Sequence, residues 1–127
     1  MELVALVLAL ALIEYFVFGI MVGRARGQYG VEAPATTGHP IFERYHRVHQ
    51  NTLEQLAIFI PALWMFGAYV NPAVAALLGL VFVAGRIVYL RGYVEDPKKR
   101  STGTFITLFA QAILLVGGGV GALLAWL

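Results

Sequence analysis

The sequence predicts an all-α integral membrane protein, a bundle of four transmembrane helices. Three observations carry that prediction. The 127 residues are 60% hydrophobic and only 13% charged, and a mean hydropathy of +0.78 is too high for an ordinary soluble globule. The apolar residues fall in four long runs, Leu3 to Val22, Leu56 to Val70, Ala73 to Leu90 and Phe105 to Leu127, and about 20 apolar helical residues cross a bilayer core of roughly 30 Å. The nine basic residues all lie in or near two polar segments, one after the first run and one after the third.

Taken in order, helix one is expected over about residues 3–26 of a single domain spanning 1–127. It is read as a span and not as a signal peptide, because a positively charged leader is missing and Glu2 is the only charge before Glu14. The segment GQYGVEAPATTGHP is punctuated by Gly and Pro and reads as a loop. Helix two is expected over about 41–69, opened by Pro40 and kinked or interrupted at Pro61. A tight turn at Val70 to Pro72 leads into helix three, about 73–94. A second polar loop, EDPKKRSTG, follows, with Asp96 and Pro97 placed to cap the start of helix four, about 104–127. Gly19 and Gly23, and Gly117 and Gly121, have the GxxxG spacing of close helix contacts.

The basic residues are Arg24, Arg26, Arg44, Arg47, Arg86, Arg91, Lys98, Lys99 and Arg100. Cytoplasmic loops carry the Lys/Arg excess, so both polar loops are expected on the cytoplasmic face, of a bacterial inner membrane, with both termini opposite. The sequence pI of about 9.2 then reflects topology and not nucleic-acid binding. The absence of cysteine excludes disulfides, thiolate metal ligands and a cysteine nucleophile. Any thiol chemistry must use the sulfur of a bound ligand.

The stretch FERYHRVHQNTLEQL concentrates polar chemistry at the head of helix two. Arg47, Asn51 and Glu54 are spaced i, i+4, i+7 and share one helix face. A solvated helix end with local ion pairs would account for Glu43, Arg44 and His46. Glu54 fits that account less well, because the apolar run begins just after it and a carboxylate there needs a partner. Helix three carries Arg86, Tyr89 and Tyr93 at i, i+3, i+7. The tyrosines suit a membrane-boundary belt, whereas Arg86 lies inside the apolar run and must snorkel or pair with Glu14 or Glu54. His46 and His49 are an i, i+3 pair with no third ligand, so no metal site is expected. The many donors and few acceptors suit an anionic ligand.

These residues resemble the MAPEG family, the membrane-associated proteins in eicosanoid and glutathione metabolism. Gly38, Phe42, Glu43 and Arg44, followed by Arg47, Asn51 and Glu54, match one family block, and Tyr89, Tyr93 and Arg100 match a second. The resemblance implies a homotrimer of four-helix subunits with glutathione as co-substrate, held between neighbours at the cytoplasmic side. It implies that Arg47, Asn51, Glu54, Tyr89 and Tyr93 hold glutathione and that Arg26 reaches it from the adjacent subunit. It further implies that Arg100 stabilises the thiolate and so acts catalytically. His49 is counted with the binding residues; it stands where leukotriene-synthesising members have Gln. Gln55 replaces their Tyr, and Gly27 replaces their second Arg. The implied activity is therefore a general bacterial-type glutathione transferase acting on hydrophobic electrophiles drawn from lipid, with glutathione-dependent peroxidase activity as a further expectation. The chemistry agrees, since Arg forks suit carboxylates and a nearby cation favours thiolate over thiol. A rival reading is a small multidrug and proton transporter using Glu14. The one-sided basic charge and the arginine cluster, which would repel cationic drugs, argue against it. A non-catalytic lipid-binding member of the family is the third reading, against which Arg100 stands.

Overall fold

The computed structural model describes residues 1–127 and is helical almost throughout. Four long helices run in chain order: α1 (Glu2–Tyr29), α2 (Pro40–Tyr69), α3 (Pro72–Glu95) and α4 (Ser101–Trp126), with a short 3-10 helix at Pro97–Arg100. Local chemistry sets these limits. α1 outruns the expected end at residue 26 and stops where Gly30, at φ 68°, adopts the left-handed conformation that terminates helices. His39 caps α2, its Nδ1 accepting from the Ile41 backbone N–H, and Pro40 fills the first turn. Asn71 Oδ1 accepts from Ala73 and Val74 and opens α3. Asp96 does cap, but it caps the 3-10 helix, accepting from Lys98 N–H. That helix feeds directly into α4, so Arg100 lies on a helical turn and not in an open loop. Pro61 is accommodated within one continuous helical assignment of α2.

Three segments are long and apolar enough to cross a membrane: Glu2–Tyr29, Pro72–Glu95 and Pro97–Trp126. α2, read as a fourth span, does not qualify on composition. It has 30 residues, about 45 Å of helix, but its first half carries Glu43, Arg44, His46, Arg47 and Glu54.

α2 and α3 pack against each other, α1 lies against both, and α4 lies against both. The core between them is aromatic and aliphatic. Phe59 and Phe82 stack with centroids 3.8 Å apart, and Leu56, Leu63, Phe66, Ala75, Ala110 and Leu114 surround them. Glycines let the helices close. A side chain at Gly79 would strike Val7 of α1, and one at Gly118 would meet the Phe66 backbone at 2.9 Å. The GxxxG expectation divides: Gly117 and Gly121 face Phe66 and Tyr69, whereas Gly23 faces open space. Large apolar side chains such as Phe16, Trp64, Leu77, Phe105 and Trp126 remain exposed on the outer surface, a pattern suited to lipid.

The polar loops meet at one end of the bundle. Arg44 Nη1 donates to the carbonyls of Val94 (3.0 Å) and Glu95 (3.3 Å), so the start of α2 caps the end of α3. The opposite end holds both termini and the Asn71 turn.

Candidate functional site

The site is built around a cation inside the bundle. Arg86 is 2% exposed, and no carboxylate lies within ion-pair distance, since the chain's ion pairs are Met1–Glu2 and Lys99–Glu95. The expected pairing with Glu14 or Glu54 is absent. Neutral groups hold the guanidinium instead. Nε and Nη2 donate to Thr52 Oγ1 at 3.2 and 3.0 Å, and Nη1 donates to Thr107 Oγ1 at 3.5 Å. Each hydroxyl spends its own hydrogen on a backbone carbonyl one turn back, Thr52 on Val48 and Thr107 on Gly103, both at 2.8 Å. Both lone-pair sets are therefore left to face the cation. The Tyr89 ring covers the guanidinium at 4.1 Å.

Beside Arg86 is a cavity of about 170 Å³, lined by Asn51, Gln55, Arg86, Tyr89, Arg100, Thr104, Thr107 and Leu108. Two guanidiniums border it and no carboxylate does. Asn51 Nδ2 donates to the Tyr89 hydroxyl at 2.5 Å, which leaves the phenol's own hydrogen free to donate. Gln111 Nε2 bonds Gln55 Oε1 at 2.5 Å below it. Arg100 is exposed and anchored by one donation to the Pro97 carbonyl at 3.1 Å. Lys99 is committed elsewhere: its Nζ donates to Glu95 Oε1 at 2.6 Å.

Of the expected site residues, the binding residues Asn51 and Tyr89 and the catalytic Arg100 therefore share one cavity. Arg47 and Tyr93 line a neighbouring one of about 380 Å³, with Thr36, Pro40, Glu43, Arg44, His46 and Pro97; the Tyr89 and Tyr93 rings, 5.6 Å apart, join the two. Glu54 is exposed on α2 and enters no ion pair within the subunit. Arg26 and His49 lie elsewhere. Arg26 donates to the Ala35 carbonyl at 2.6 Å and covers the Phe42 ring at 4.8 Å. His49 packs on Tyr15, centroids 4.4 Å apart, in a groove of about 470 Å³ between α1 and α2. Thr52, Thr104, Thr107 and Gln111 were not anticipated. Their signal is a polar stripe at Thr104, Thr107 and Gln111, spaced i, i+3, i+7 within the last apolar run.

The fold and site define a class: a four-helix protein with membrane-spanning character and an electropositive polar cavity at one end of its bundle. The chain belongs to the MAPEG family, whose model matches residues 4–120. It is 44% identical over 119 residues to human microsomal glutathione S-transferase 2, covering 94% of this chain and 81% of that protein. It is 51% identical over 113 residues to an uncharacterized protein of Synechocystis sp., covering 89% and 82%. It is 35% identical over 121 residues to leukotriene C4 synthase of Cavia porcellus, covering 95% and 81%.

Proposed function

We propose that the protein is a membrane-bound glutathione transferase that joins the glutathione thiolate to hydrophobic electrophiles. The observation that carries this reading is the cavity bordered by Arg86 and Arg100 and by no carboxylate. Such a site favours an anion, and among the groups of glutathione the sulfur is the one whose ionisation state the site can change. Arg100 stays charged at any working pH, and its exposure beside the cavity suits a ligand arriving from water. The thiolate attacks an electrophilic carbon, the new C–S bond forms, the leaving group or π electron pair departs from that carbon, and the thiol proton goes to solvent. Names among the relatives, microsomal glutathione S-transferase 2 and leukotriene C4 synthase, support the same chemistry.

The cavity is smaller than the roughly 300–1,000 Å³ usual for a small-molecule site, so it suits the cysteinyl part of the tripeptide alone. Arg47 and Tyr93 are next to it for a carboxylate, and Glu54 is available for the ammonium. Arg26 and His49 face another side of the same subunit, which supports a homotrimer in which a neighbour supplies them. Both polar loops then face the cytoplasm, and α2 forms the fourth span within that assembly.

The test is glutathione binding by the purified protein in detergent, read by the ultraviolet absorbance of the thiolate, followed by conjugation of a hydrophobic electrophile. Binding with thiolate at neutral pH and a thioether product is expected. Binding without thiolate, or no binding, defeats the proposal.

A further inference from the structure

The polar stripe of α4 continues below the cavity. Gln111 lies one turn beyond Thr107, between Ala110 and Ala112, and is 4% exposed. Its amide is only half used. Nε2 donates to Gln55 Oε1 at 2.5 Å, while Oε1 is buried with no hydrogen-bond partner. A buried acceptor left unpaired is costly, and reversing the pair would not remove the cost. With both amides flipped, Gln55 Nε2 would donate to Gln111 Oε1, and the buried Nε2 of Gln111 would become the orphan. Buried N–H groups go unpaired more rarely than carbonyl oxygens do, so the observed arrangement is the better of the two.

The consequence falls on Gln55, which lines the cavity. Gln111 occupies its carbonyl, so its Nε2 is left as an oriented donor that serves no acceptor within the subunit. A donor fixed in advance, where charge will develop, stabilises that charge without reorganising. The two guanidiniums of the cavity suit the sulfur. The Gln55 amide is neutral and a very weak acid, so it stabilises a charged oxygen by hydrogen bonding while keeping its proton. Electrophiles differ in their need for such a group. Displacement of a halide puts no charge on oxygen. Opening of an epoxide leaves an alkoxide that requires a proton, which an amide does not supply. Addition to an α,β-unsaturated carbonyl moves the charge of the thiolate onto the carbonyl oxygen, where a neutral donor is sufficient.

We propose that Gln55 donates to the carbonyl oxygen of α,β-unsaturated aldehydes and ketones, and that Gln111 is the positioning residue that aims it. The proposal rests on the glutathione reading above and names an electrophile class for that site. The sulfur electron pair forms the C–S bond at the β carbon. The C=C π pair moves between the α carbon and the carbonyl carbon, and the C=O π pair settles on oxygen, where the Gln55 N–H meets it. A proton from solvent then adds to the α carbon and restores the carbonyl. The product is a saturated thioether aldehyde or ketone, with no net oxidation or reduction.

The test compares kcat/KM, at saturating glutathione, for a long-chain 2-alkenal and for benzyl chloride. Gln55→Met, similar in shape but without a donor, should lower the alkenal-to-benzyl chloride ratio about tenfold or more. Gln111→Met should lower it in the same direction. The double variant, which replaces both partners by apolar groups of like shape and so leaves no further orphan, should be no worse than Gln55→Met, because Gln111 acts only through Gln55. A merely structural role would lower both rates together, and an unchanged ratio in Gln55→Met overturns the donor while leaving the transferase reading intact. Losses that multiply in the double variant overturn the positioning role. Wild-type protein that conjugates benzyl chloride but not the alkenal overturns the electrophile class alone, whereas absence of thiolate and of both thioethers overturns the glutathione reading with it. Infrared spectra of wild-type protein give an answer that needs no variant to fold. The carbonyl band of a saturated long-chain ketone, bound together with glutathione, should lie below its frequency in detergent alone, and an unshifted band refutes the donor.

Discussion

Arg86 and Arg100 carry the same charge and border the same cavity, yet their surroundings assign them different work. Arg86 is sealed between Thr52, Thr107 and Tyr89, so its field is permanent and weakly screened. Arg100 is exposed and held by a single bond to the Pro97 carbonyl, so it can adjust to a ligand. Only the thiolate attacks well, and a free thiol of ordinary pKa is mostly protonated at neutral pH. A shift of one pKa unit corresponds to about 1.36 kcal/mol, within reach of one well-placed guanidinium. Arg100→Ala should therefore leave glutathione affinity within a few-fold, raise the pH at which thiolate absorbance appears and lower turnover. A Lys98/Lys99 double alanine should change neither, because Lys99 already serves Glu95; the reverse pattern would assign the sulfur to the lysines. Arg47 and Glu54 act on the ends of the ligand instead. Neither is committed to an ion pair within the subunit. Arg47→Ala or Glu54→Gln should each weaken glutathione binding by about 1.5–3 kcal/mol, the range for a hydrogen bond to a charged group, as measured by titration calorimetry. Unchanged affinity in both would remove that face of α2 from the site.

At the scale of the elements, the position of α4 against α3 sets the cavity. A Cβ at Gly103 would lie 2.6 Å from Cβ of Tyr89, and one at Gly85 would lie 3.1 Å from the Thr107 backbone. The cavity-lining Tyr89, Thr104 and Thr107 therefore sit where two backbones approach as closely as glycine allows. Gly103→Ala should push α4 outward, cost about 1–3 kcal/mol as overpacking does, and weaken thiolate formation together with the thermal midpoint. Gly119→Ala, with nothing within 4 Å of its Cβ, should leave both unchanged or slightly improved, since Ala is the better helix former. The sequence makes the helices visible through their apolar runs and their caps at His39–Pro40, Asn71 and Asp96. It also shows Arg47, Asn51 and Glu54 as one face. It does not show which glycine meets which neighbour, because that depends on helix rotation and depth. For the same reason GxxxG spacing picked out Gly23, which touches nothing, and passed over Gly103. Thr52 and Thr107 escaped notice because a threonine inside a helix ordinarily bonds its own backbone. Their free lone pairs matter only once Arg86, 34 and 21 residues away in sequence, is folded between them. Arg100 was legible as a basic residue near the end of helix three. The family resemblance assigned it to the thiolate; its helical setting was hidden, because EDPKKRSTG reads as a loop and Asp96 turns it into a helical entry to α4.

For the whole molecule, the bonds from Arg44 to the end of α3 bring both polar segments to one end of the bundle. In a membrane the basic end is expected on the cytoplasmic face. Single cysteines at Thr36 and Thr102 of this cysteine-free chain should therefore label only from the cytoplasm, and one at Asn71 only from the other side. Labelling of any one of them from both sides would defeat a single orientation. The assembly yields a sharper test. Arg26 and His49 do not line the cavity of their own subunit, so the proposed site needs a cavity from one subunit and Arg26 from its neighbour. Subunits carrying Arg26→Ala keep an intact cavity but cannot complete a neighbour's, and subunits carrying Arg100→Ala do the opposite. Each homogeneous assembly should be strongly impaired in turnover. When the two are co-expressed in equal amounts, a closed ring of identical contacts pairs an intact cavity with an intact Arg26 in about a quarter of its sites by random assortment. Activity should recover to about that fraction of wild type. If Arg26 matters only by holding its own loop through the Ala35 carbonyl, its loss damages the cavity of the same subunit. Mixing then restores no site, and activity stays at the level of the separate variants.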